Sequence, residues 1–244
     1  MKNLSIVGYG AFTKLMIDYL QDDFNILVYS RNPGSKDKGG RRFNFATLDN
    51  VLQQEIIIIS LPAQYIGEFL RVNGTSINPD ALVLDVASVK ELPIKDMRTY
   101  LPKSCQIIGT HPIFGPGSAA KDITGLRIVR CPERCNPQTL AKLKEYLERK
   151  CLIVLEKTPE EHDRAMAYVL GLTQYIGRAL QQIGAHDTEL TTPAYVDLMD
   201  MKAIQGTDSW DLFYSVMSCN RYTEDVIKQL RGAFDMLDDR LSKF

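Results

Sequence analysis

Residues 4–13 read Leu-Ser-Ile-Val-Gly-Tyr-Gly-Ala-Phe-Thr, and this stretch decides the fold of the chain. The apolar run Leu4–Val7 predicts a short β-strand, and the residues from Ala11 to Leu20 predict an α-helix. Between them, Gly8 permits a tight turn, and Gly10 lets the backbone approach a phosphate at the positive end of the helix. An ordinary βα turn is the alternative, but a position after the first strand of an α/β pattern favours a dinucleotide-binding turn.

The remainder of the first 157 residues alternates short β-rich runs with helix-like stretches, which predicts an α/β fold with a parallel sheet. The four isoleucines at 56–59 suit a strand that is covered on both faces. Further strands are predicted at Asn25–Tyr29, Ile56–Leu61, Leu82–Val86, Gln106–Gly109, Arg127–Cys131 and Leu152–Leu155, and a further helix at Pro137–Lys150.

A second domain begins where this pattern stops. Thr158-Pro-Glu-Glu161 combines an N-cap threonine, a proline at the first helical position and a glutamate three residues after the cap. From there to Phe244 the chain is predicted to be helical, with breaks at Gly184–Asp187, Thr191–Pro193 and Gly206–Ser209. We therefore predict a Rossmann-type dinucleotide-binding domain over residues 1–157 and an all-helical domain over residues 158–244.

Composition excludes several classes of protein. A formal net charge of −1 gives no general attraction to nucleic acid or to an anionic membrane surface. Since no apolar run approaches the roughly 20 residues of a membrane span and no signal-peptide pattern is present, we expect a soluble cytoplasmic protein. The five cysteines are scattered, and Cys131 and Cys135 have neither a second pair nor a nearby histidine, so we expect reduced thiols and no metal site.

The candidate cofactor-binding residues fall into three groups. The turn contributes Gly8, Gly10, Ala11, Phe12 and Thr13, the end of the second strand contributes Ser30 and Arg31, and the end of the isoleucine strand contributes Ser60 and Leu61. Thr13 stands where the fingerprint usually has Gly or Ala, so we expect slightly looser packing between helix and strand.

The end of the second strand favours NADP over NAD. It carries Ser30 and Arg31 in place of the acidic residue that binds the ribose hydroxyls in NAD-selective sites. These residues are candidates for holding a 2′-phosphate, with Ser35, Lys36, Arg41 and Arg42 close in sequence. The alternative is a solvated basic loop.

Two further stretches carry groups for chemistry. Asp85-Val-Ala-Ser-Val-Lys90 and Gly109-Thr-His-Pro-Ile-Phe-Gly-Pro116 bring a serine, a lysine and His111 to strand ends near the turn. Histidine takes a proton near neutral pH without special tuning, as a dehydrogenase acting on a hydroxyl group requires. We predict that His111 lies in an irregular loop after a strand and acts as a base; a core histidine bonded to a backbone carbonyl is the alternative.

With these residues in view, the chain resembles the prephenate/arogenate dehydrogenase family of tyrosine biosynthesis. The resemblance is carried by Gly8-Tyr-Gly10, Asp85–Lys90, Thr110–Pro116, Glu161-His-Asp-Arg164 and Gly206-Thr-Asp-Ser-Trp-Asp-Leu-Phe-Tyr214. The last segment, together with Ser30 and Arg31, is more similar to the NADP-using arogenate enzymes of plant type than to the NAD-using bacterial ones.

The resemblance implies an oxidative decarboxylation. Hydride leaves C4 of a cyclohexadienol for the nicotinamide, His111 takes the proton of the 4-hydroxyl, and loss of the C1 carboxylate as CO2 makes the ring aromatic. Ser88 would orient His111 or contact the same hydroxyl, and Lys90 would support the loop at the strand end. The resemblance also implies a homodimer formed through the helical domain.

The substrate-binding candidates are His162, Lys202, Gln205 and Asp122. His162 is a candidate for binding a substrate carboxylate or hydroxyl, with a capping or packing role as the alternative. No arginine stands between Arg178 and Arg221, so Lys202 is the nearest cation, with Gln205 as a polar neighbour. Asp122 is a candidate partner for the amino group that distinguishes arogenate from prephenate, or else a solvated loop residue.

Two other functions remain open on the sequence. One is a different two-domain NADP-dependent reductase of the hydroxyacid or imine type, although that class typically lacks the His-Pro-x-Phe-Gly-Pro loop. The other is a nonenzymatic NADP sensor, for which Thr13 and Gly117 would be expected departures and which Ser88 and His111 oppose.

Overall fold

The computed structural model describes residues 2–32, 40–119 and 121–244. The chain divides into two compact units, residues 1–159 and 160–244, close to the boundary predicted near residue 157. Ser35 and Lys36, predicted near the coenzyme phosphate, lie outside the described residues.

The first unit is built on one eight-stranded sheet with the strand order β3-β2-β1-β4-β5-β6-β7-β8. The strands are β1 (Lys2–Val7), β2 (Phe24–Tyr29), β3 (Asn44–Phe45), β4 (Ile56–Ile59), β5 (Leu82–Asp85), β6 (Gln106–Pro112), β7 (Arg127–Arg134) and β8 (Ile153–Glu156). Ile57, Ile58 and Ile59 of β4 are buried, as the run of isoleucines predicts. The predicted α/β fold with a following helical domain is confirmed.

The sheet is mostly parallel, but β7 runs antiparallel to β6, which corrects the prediction of a parallel sheet at this point. The connection between these strands holds α5 (Pro116–Ala119), a helix of four residues. A parallel return needs a crossover that spans the height of the sheet, usually on a longer helix. The chain therefore turns back at the same edge of the sheet.

Helices flank this sheet. They are α1 (Ala11–Leu20), α2 (Leu48–Leu52), α3 (Ala63–Asn73), α4 (Glu91–Tyr100), α5 and α6 (Pro137–Arg149). The bounds of α1 are those predicted, and α6 ends one residue before the prediction.

The second unit contains α7 (Pro159–Gln182), α8 (Pro193–Thr207), α9 (Trp210–Cys219) and α10 (Thr223–Leu241). The breaks between α7 and α9 fall where glycine, threonine and proline predict them. A further break at Asn220 was not predicted: its side-chain amide donates to the Asp163 carbonyl at 2.7 Å, and its amide oxygen accepts the Tyr222 backbone N–H at 3.0 Å. An asparagine that bonds to backbone groups competes with helix formation. Among the described residues no helix is long and apolar enough to cross a membrane.

Candidate active site

The turn after β1 has a backbone that requires glycine at its first position. Gly8 has a φ of +105°, and its N–H donates to the Tyr29 carbonyl at 2.9 Å. A Cβ at this position would lie 2.2 Å from the Ser60 carbonyl oxygen. Because no side chain fits at this position, glycine allows the ends of β1, β2 and β4 to lie close together.

The next glycine leaves the N-terminus of α1 open. Gly10 is the N-cap of this helix, no side chain caps it, and a Cβ at Gly10 would meet nothing within 4 Å among the described atoms. The first amide groups of α1, beginning with Ala11 and Phe12, thus lack intrahelical partners. An uncapped helix N-terminus beside an open glycine fits the pyrophosphate of a dinucleotide.

Thr13 was predicted to loosen the packing between helix and strand, but it does not. It is fully buried, and its hydroxyl lies 3.1 Å from the Gly8 carbonyl and 2.9 Å from the Ser60 hydroxyl. The larger side chain is accommodated because its hydroxyl joins the turn to the end of β4. Both Thr13 and Ser60 were predicted to bind the cofactor, and both side chains are bonded within the protein.

The end of β2 carries Ser30, whose hydroxyl accepts the Asn32 backbone N–H at 3.3 Å, and the exposed Arg31. Two of the predicted basic neighbours are engaged elsewhere. Arg41 pairs with Asp18 at 2.8 Å, and Arg42 pairs with Asp22, both carboxylates belonging to α1 or the turn after it. Arg31 stays the main candidate for a 2′-phosphate, and the predicted role of Arg41 and Arg42 near it remains a prediction.

An aromatic cluster beside the turn was not found from the sequence. Tyr9, Phe43 and Phe45 pack ring against ring, with centroids 5.0 to 5.4 Å apart. Phe45 also lines a depression of about 370 Å³ with Tyr29, Ser30, Ala46 and Thr47. Phe45 belongs to a strand of two residues, too short to show a pattern.

His111 lies within β6, not in an irregular loop. It is paired with Val129 of the antiparallel β7, and this pairing extends β6 beyond the predicted end at Gly109. Its side chain is largely buried, at 7% exposure. His111 thus lies on a strand, at the carboxyl edge of the parallel strands, where ligands bind in such sheets.

Ser88 follows the neighbouring strand β5 and is also buried. Its hydroxyl oxygen has no hydrogen-bond partner within the described residues. A buried hydroxyl without a partner is costly unless a ligand or water satisfies it. Ser88 is therefore available to a bound hydroxyl group.

Lys90 and Asp85 form a fully buried ion pair beside these residues. The Lys90 ammonium also donates to the Thr110 carbonyl at 2.7 Å, and the same Asp85 carboxylate oxygen accepts the Ala87 N–H at 3.0 Å. The pair ties the loop that carries Ser88 to the strand that carries His111, which is the support predicted for Lys90.

The candidate Asp122 lies on the surface of the first unit. Its carboxylate accepts hydrogen bonds from the Thr124 backbone N–H at 3.0 Å and from the Thr124 hydroxyl at 2.9 Å. These bonds, the backbone one foremost, hold the pKa of Asp122 below its ordinary value. The carboxylate is thus engaged in its own turn.

In the helical unit, His162 and Lys202 both have partners within the protein. The His162 Nδ1 lies 2.7 Å from the Asp163 carboxylate, and both side chains are fully buried. The Lys202 ammonium donates to the Ala185 carbonyl. Neither contact tests the predicted roles in substrate binding, which remain predictions.

A polar cluster surrounds Asp208 at the end of α8. Gln174 donates to the Asp208 carboxylate at 2.6 Å, and Arg178 donates to the Asp208 carbonyl at 2.5 Å while its guanidinium lies 4.4 Å from the centre of the Trp210 ring. Burial raises the pKa of Asp208, while the Gln174 hydrogen bond and then Arg178 oppose the rise. Asp208 and Trp210 lie in the Gly206–Tyr214 motif, but neither they nor Gln174 and Arg178 were predicted to bind substrate, because the contacts join residues that are far apart in the sequence.

Gln205 lies beside this cluster, and its backbone carbonyl accepts the Asp208 N–H at 3.3 Å. Its Cβ and Cγ lie against Gly177, where a Cβ would approach them to 2.7 and 2.6 Å, so the glycine allows α7 and α8 to meet at this point. The atoms Gln174 Oε1, Gln205 Oε1 and Arg178 Nε are buried and have no hydrogen-bond partner within the described residues. The sequence signals Gln205 through its position before the Gly206–Tyr214 motif, but not Gln174 or Arg178.

Comparison with known families identifies the nucleotide-binding unit. The model of the prephenate dehydrogenase nucleotide-binding domain matches residues 20–154, more than half of the chain. The chain belongs to the prephenate/arogenate dehydrogenase family. Members of this family are oxidoreductases of tyrosine biosynthesis. Residues 179–243 match a second model, described as the TYRAAT1-like C-terminal domain.

Curated relatives within the family include plant and archaeal proteins. Arogenate dehydrogenase 2, chloroplastic, from Arabidopsis thaliana is 28% identical over 98% of this chain and 69% of its own length. Arogenate dehydrogenase 1, chloroplastic, from the same plant is 25% identical over 98% of this chain and 39% of its own length. A probable arogenate/prephenate dehydrogenase from Methanocaldococcus jannaschii is 26% identical over 78% of this chain and 44% of its own length. The chain thus spans less than half the length of two of these relatives.

Solved structures of family members share the fold. Prephenate dehydrogenase from A. aeolicus, in complex with hydroxyphenyl propionate and NAD+, has a TM-score of 0.76 at 20% identity and covers 100% of this chain and 91% of its own. Synechocystis arogenate dehydrogenase has a TM-score of 0.69 at 23% identity, with coverage of 100% and 92%. These structures show the fold, and the family match over residues 20–154 confirms the resemblance drawn from the sequence motifs. The matched model describes a nucleotide-binding domain, in agreement with a nicotinamide dinucleotide as cofactor.

Proposed function

We propose that this chain oxidises and decarboxylates arogenate, with prephenate as the second candidate substrate, and that it uses NADP. The observation that carries the proposal is the juxtaposition of His111 and Ser88 at the carboxyl ends of β6 and β5, the edge of the sheet that also bears the Gly8–Gly10 turn. Family membership supplies the reaction class, and the two side chains supply the groups that it needs.

His111 would act as the base on the 4-hydroxyl of the ring, and Ser88 would hold the same oxygen. A bound nicotinamide coenzyme supplies the acceptor for the hydride that leaves C4. As the O–H proton passes to His111, the C4–O bond becomes a carbonyl. The C1–carboxylate bond then breaks, CO2 leaves, and its electron pair passes through the ring to the oxygen at C4, which takes a proton back. The unpartnered hydroxyl of Ser88 supports this assignment, because the substrate oxygen would satisfy it.

The likeness to the plant arogenate dehydrogenases supports arogenate over prephenate. Arogenate carries an ammonium group where prephenate carries a keto oxygen. An ammonium has three donors and no acceptor, so its recognition needs acceptor oxygens, and the carboxylate of Asp122 is the one predicted from the sequence. His162, Lys202 and Gln205 also stay as predicted contacts of the substrate.

NADP remains our proposal for the coenzyme, although the A. aeolicus relative binds NAD+. The support is the exposed Arg31 beside Ser30 at the end of β2, without an acidic residue in the Ser30–Asn32 segment. A guanidinium binds a phosphate through paired hydrogen bonds. Gly8, Gly10, Ala11 and Leu61 stay as predicted contacts of the coenzyme.

A homodimer is the proposed assembly. The last helix, α10, presents the exposed residues Phe234, Leu237 and Leu241, spaced three and four residues apart on one face. Such an apolar stripe on a surface helix is typical of an interface. The second copy of the chain is the partner that the family resemblance implies.

The direct experiment follows absorbance of reduced nicotinamide with purified protein, crossing arogenate and prephenate with NADP and NAD. We expect fastest turnover with arogenate and NADP. Turnover with only prephenate or only NAD would correct the specificity, and folded protein that binds NADP but turns over neither substrate would favour a nonenzymatic sensor or another reductase.

A further inference from the structure

The buried ion pair between Asp85 and Lys90 lies under the strand that carries His111. β5 and β6 are adjacent and parallel, with Asp85 opposite Gly109. A Cβ at Gly109 would lie 2.6 Å from Ile94 Cδ1 and 3.3 Å from Lys90 Cδ, so the missing side chain makes room first for Ile94 and then for the lysine stem. Alternate residues of a strand share a face. His111, two residues after Gly109, therefore projects from the face against which Lys90 lies.

The two ends of the pair fix different parts of the candidate active site. Asp85 accepts the Ala87 N–H at 3.0 Å and the Lys90 ammonium, and so holds the loop that contains Ser88. The ammonium reaches across to the Thr110 carbonyl at 2.7 Å, the peptide group that joins Thr110 to His111. Side chains without any solvent exposure keep these bonds free from competition with water.

We propose that the Asp85–Lys90 ion pair is a positioning device for His111: it anchors the end of β6 and leaves no net charge beside the imidazole. The inference rests on the proposed function for its catalytic meaning. Its physical content is independent, because removing one member should leave a single uncompensated charge next to the histidine. A bare ammonium would favour the neutral imidazole, and a bare carboxylate would favour the imidazolium.

Other charged groups near this point are the same in every variant below. Arg130 of β7 is opposite Thr110, but its guanidinium donates to the Leu140 carbonyl at 2.7 Å and pairs with Glu156 at 2.6 Å. Glu91 follows Lys90 at the start of α4. Since these groups do not change, a difference between variants reports on the ion pair.

The test is an NMR titration of the histidines in the protein without coenzyme. The chain has three histidines, and His111→Asn assigns the resonance of interest. We expect the pKa of His111 to fall by about one unit in Asp85→Asn and to rise by about one unit in Lys90→Met. In the double variant Asp85→Asn/Lys90→Met, which again has no net charge, it should return to within a few tenths of the wild-type value.

Measurements of kcat distinguish the anchoring of β6 by the ion pair from the effect of its charges on His111. The double variant restores neutrality but not the bond to Thr110, so kcat should stay about tenfold or more below wild type while Kd for the coenzyme changes less than twofold. Lys95→Met, at an exposed position on α4, is the matched control and should match wild type in both titration and turnover. If Lys90→Met does not fold, Asp85→Asn and the double variant decide the question.

Folded single variants in which the pKa of His111 does not move would overturn the inference, as would a double variant with wild-type kcat. The titration does not depend on the reaction. A protein that turns over neither arogenate nor prephenate, yet shows the opposite shifts, would refute the proposed function and leave the coupling of the ion pair to His111 standing.

Discussion

His111 is the proposed base, and an imidazole can accept a proton near neutral pH. It lies on a strand fixed on both sides by β5 and β7. We expect His111→Asn to lower kcat by about a hundredfold or more, because an amide cannot accept the hydroxyl proton. Coenzyme Kd, measured by fluorescence of bound NADPH, should remain within about twofold of wild type. Unaltered turnover would show that His111 is not the base and would favour the alternative of a core histidine.

Replacing each glycine of the turn by alanine should affect a different property: folding stability for Gly8 and coenzyme affinity for Gly10. Gly8→Ala places a Cβ 2.2 Å from the Ser60 carbonyl at a φ of +105°, so it should cost about 2 kcal/mol or more of folding stability. Gly10→Ala meets nothing within 4 Å among the described atoms and should leave the free energy of unfolding nearly unchanged.

Gly10→Ala should instead weaken coenzyme binding by tenfold or more, because the added methyl occupies the space into which a pyrophosphate fits. Chemical denaturation and coenzyme titration of both variants give the comparison. Gly117→Ala, another glycine with open space around it, is the control for each measurement. Equal coenzyme affinity in Gly10→Ala and wild type would place the dinucleotide elsewhere.

Sequence reasoning at this scale identified residue types better than their partners. The position of the Gly-x-Gly turn after the first strand of an α/β pattern singled out Gly8 and Gly10, and the backbone at Gly8 does require glycine. The hydrogen bond between Thr13 and Ser60 was not, because it joins residues 47 positions apart in the chain. Arg41 and Arg42 were placed near a phosphate by proximity in sequence, and their ion pairs with Asp18 and Asp22 were not predicted.

At the scale of elements, the sequence pattern located seven of the eight strands, α1, α6 and the helical second unit, but neither the two-residue β3 nor the direction of β7. Direction depends on where the connection leaves the sheet, and the connection between β6 and β7 holds a helix of only four residues. The same strand explains why β6 was predicted too short. Residues Thr110–Pro112 have little β-pattern of their own, and their pairing with Ile128–Arg130 makes them a strand.

The end of β2 should set coenzyme choice. Arg31→Ala removes the cation proposed for the 2′-phosphate, so Kd for NADP should rise by about tenfold or more while Kd for NAD changes little. Arg42→Ala is the matched control, because its guanidinium is paired with Asp22. An equal loss of affinity for both coenzymes in Arg31→Ala would indicate a merely structural role.

At the scale of the whole molecule, the exposed apolar residues are concentrated in the helical unit. Phe234, Leu237 and Leu241, which form the apolar stripe on α10, are each more than half exposed. A stripe of this kind is costly in water, at about 25 cal/mol for each Å² of apolar surface that a partner would cover. The motifs of the first unit indicate a binding site within one chain. They do not indicate which surface of the helical unit contacts a second copy.

We therefore expect the protein to be a dimer in solution and to dissociate when the stripe is charged. Phe234→Glu combined with Leu237→Glu should reduce the mass measured by light scattering to that of one chain, 27.6 kDa. Val72→Glu, at an equally exposed apolar position on α3, should leave the mass of the wild-type protein unchanged. A wild-type protein that already has the mass of one chain at micromolar concentration would contradict the proposed assembly. A dimer that survives both glutamates would move the interface to another face of the helical unit, for which the exposed Ile204 of α8 is the next position to charge.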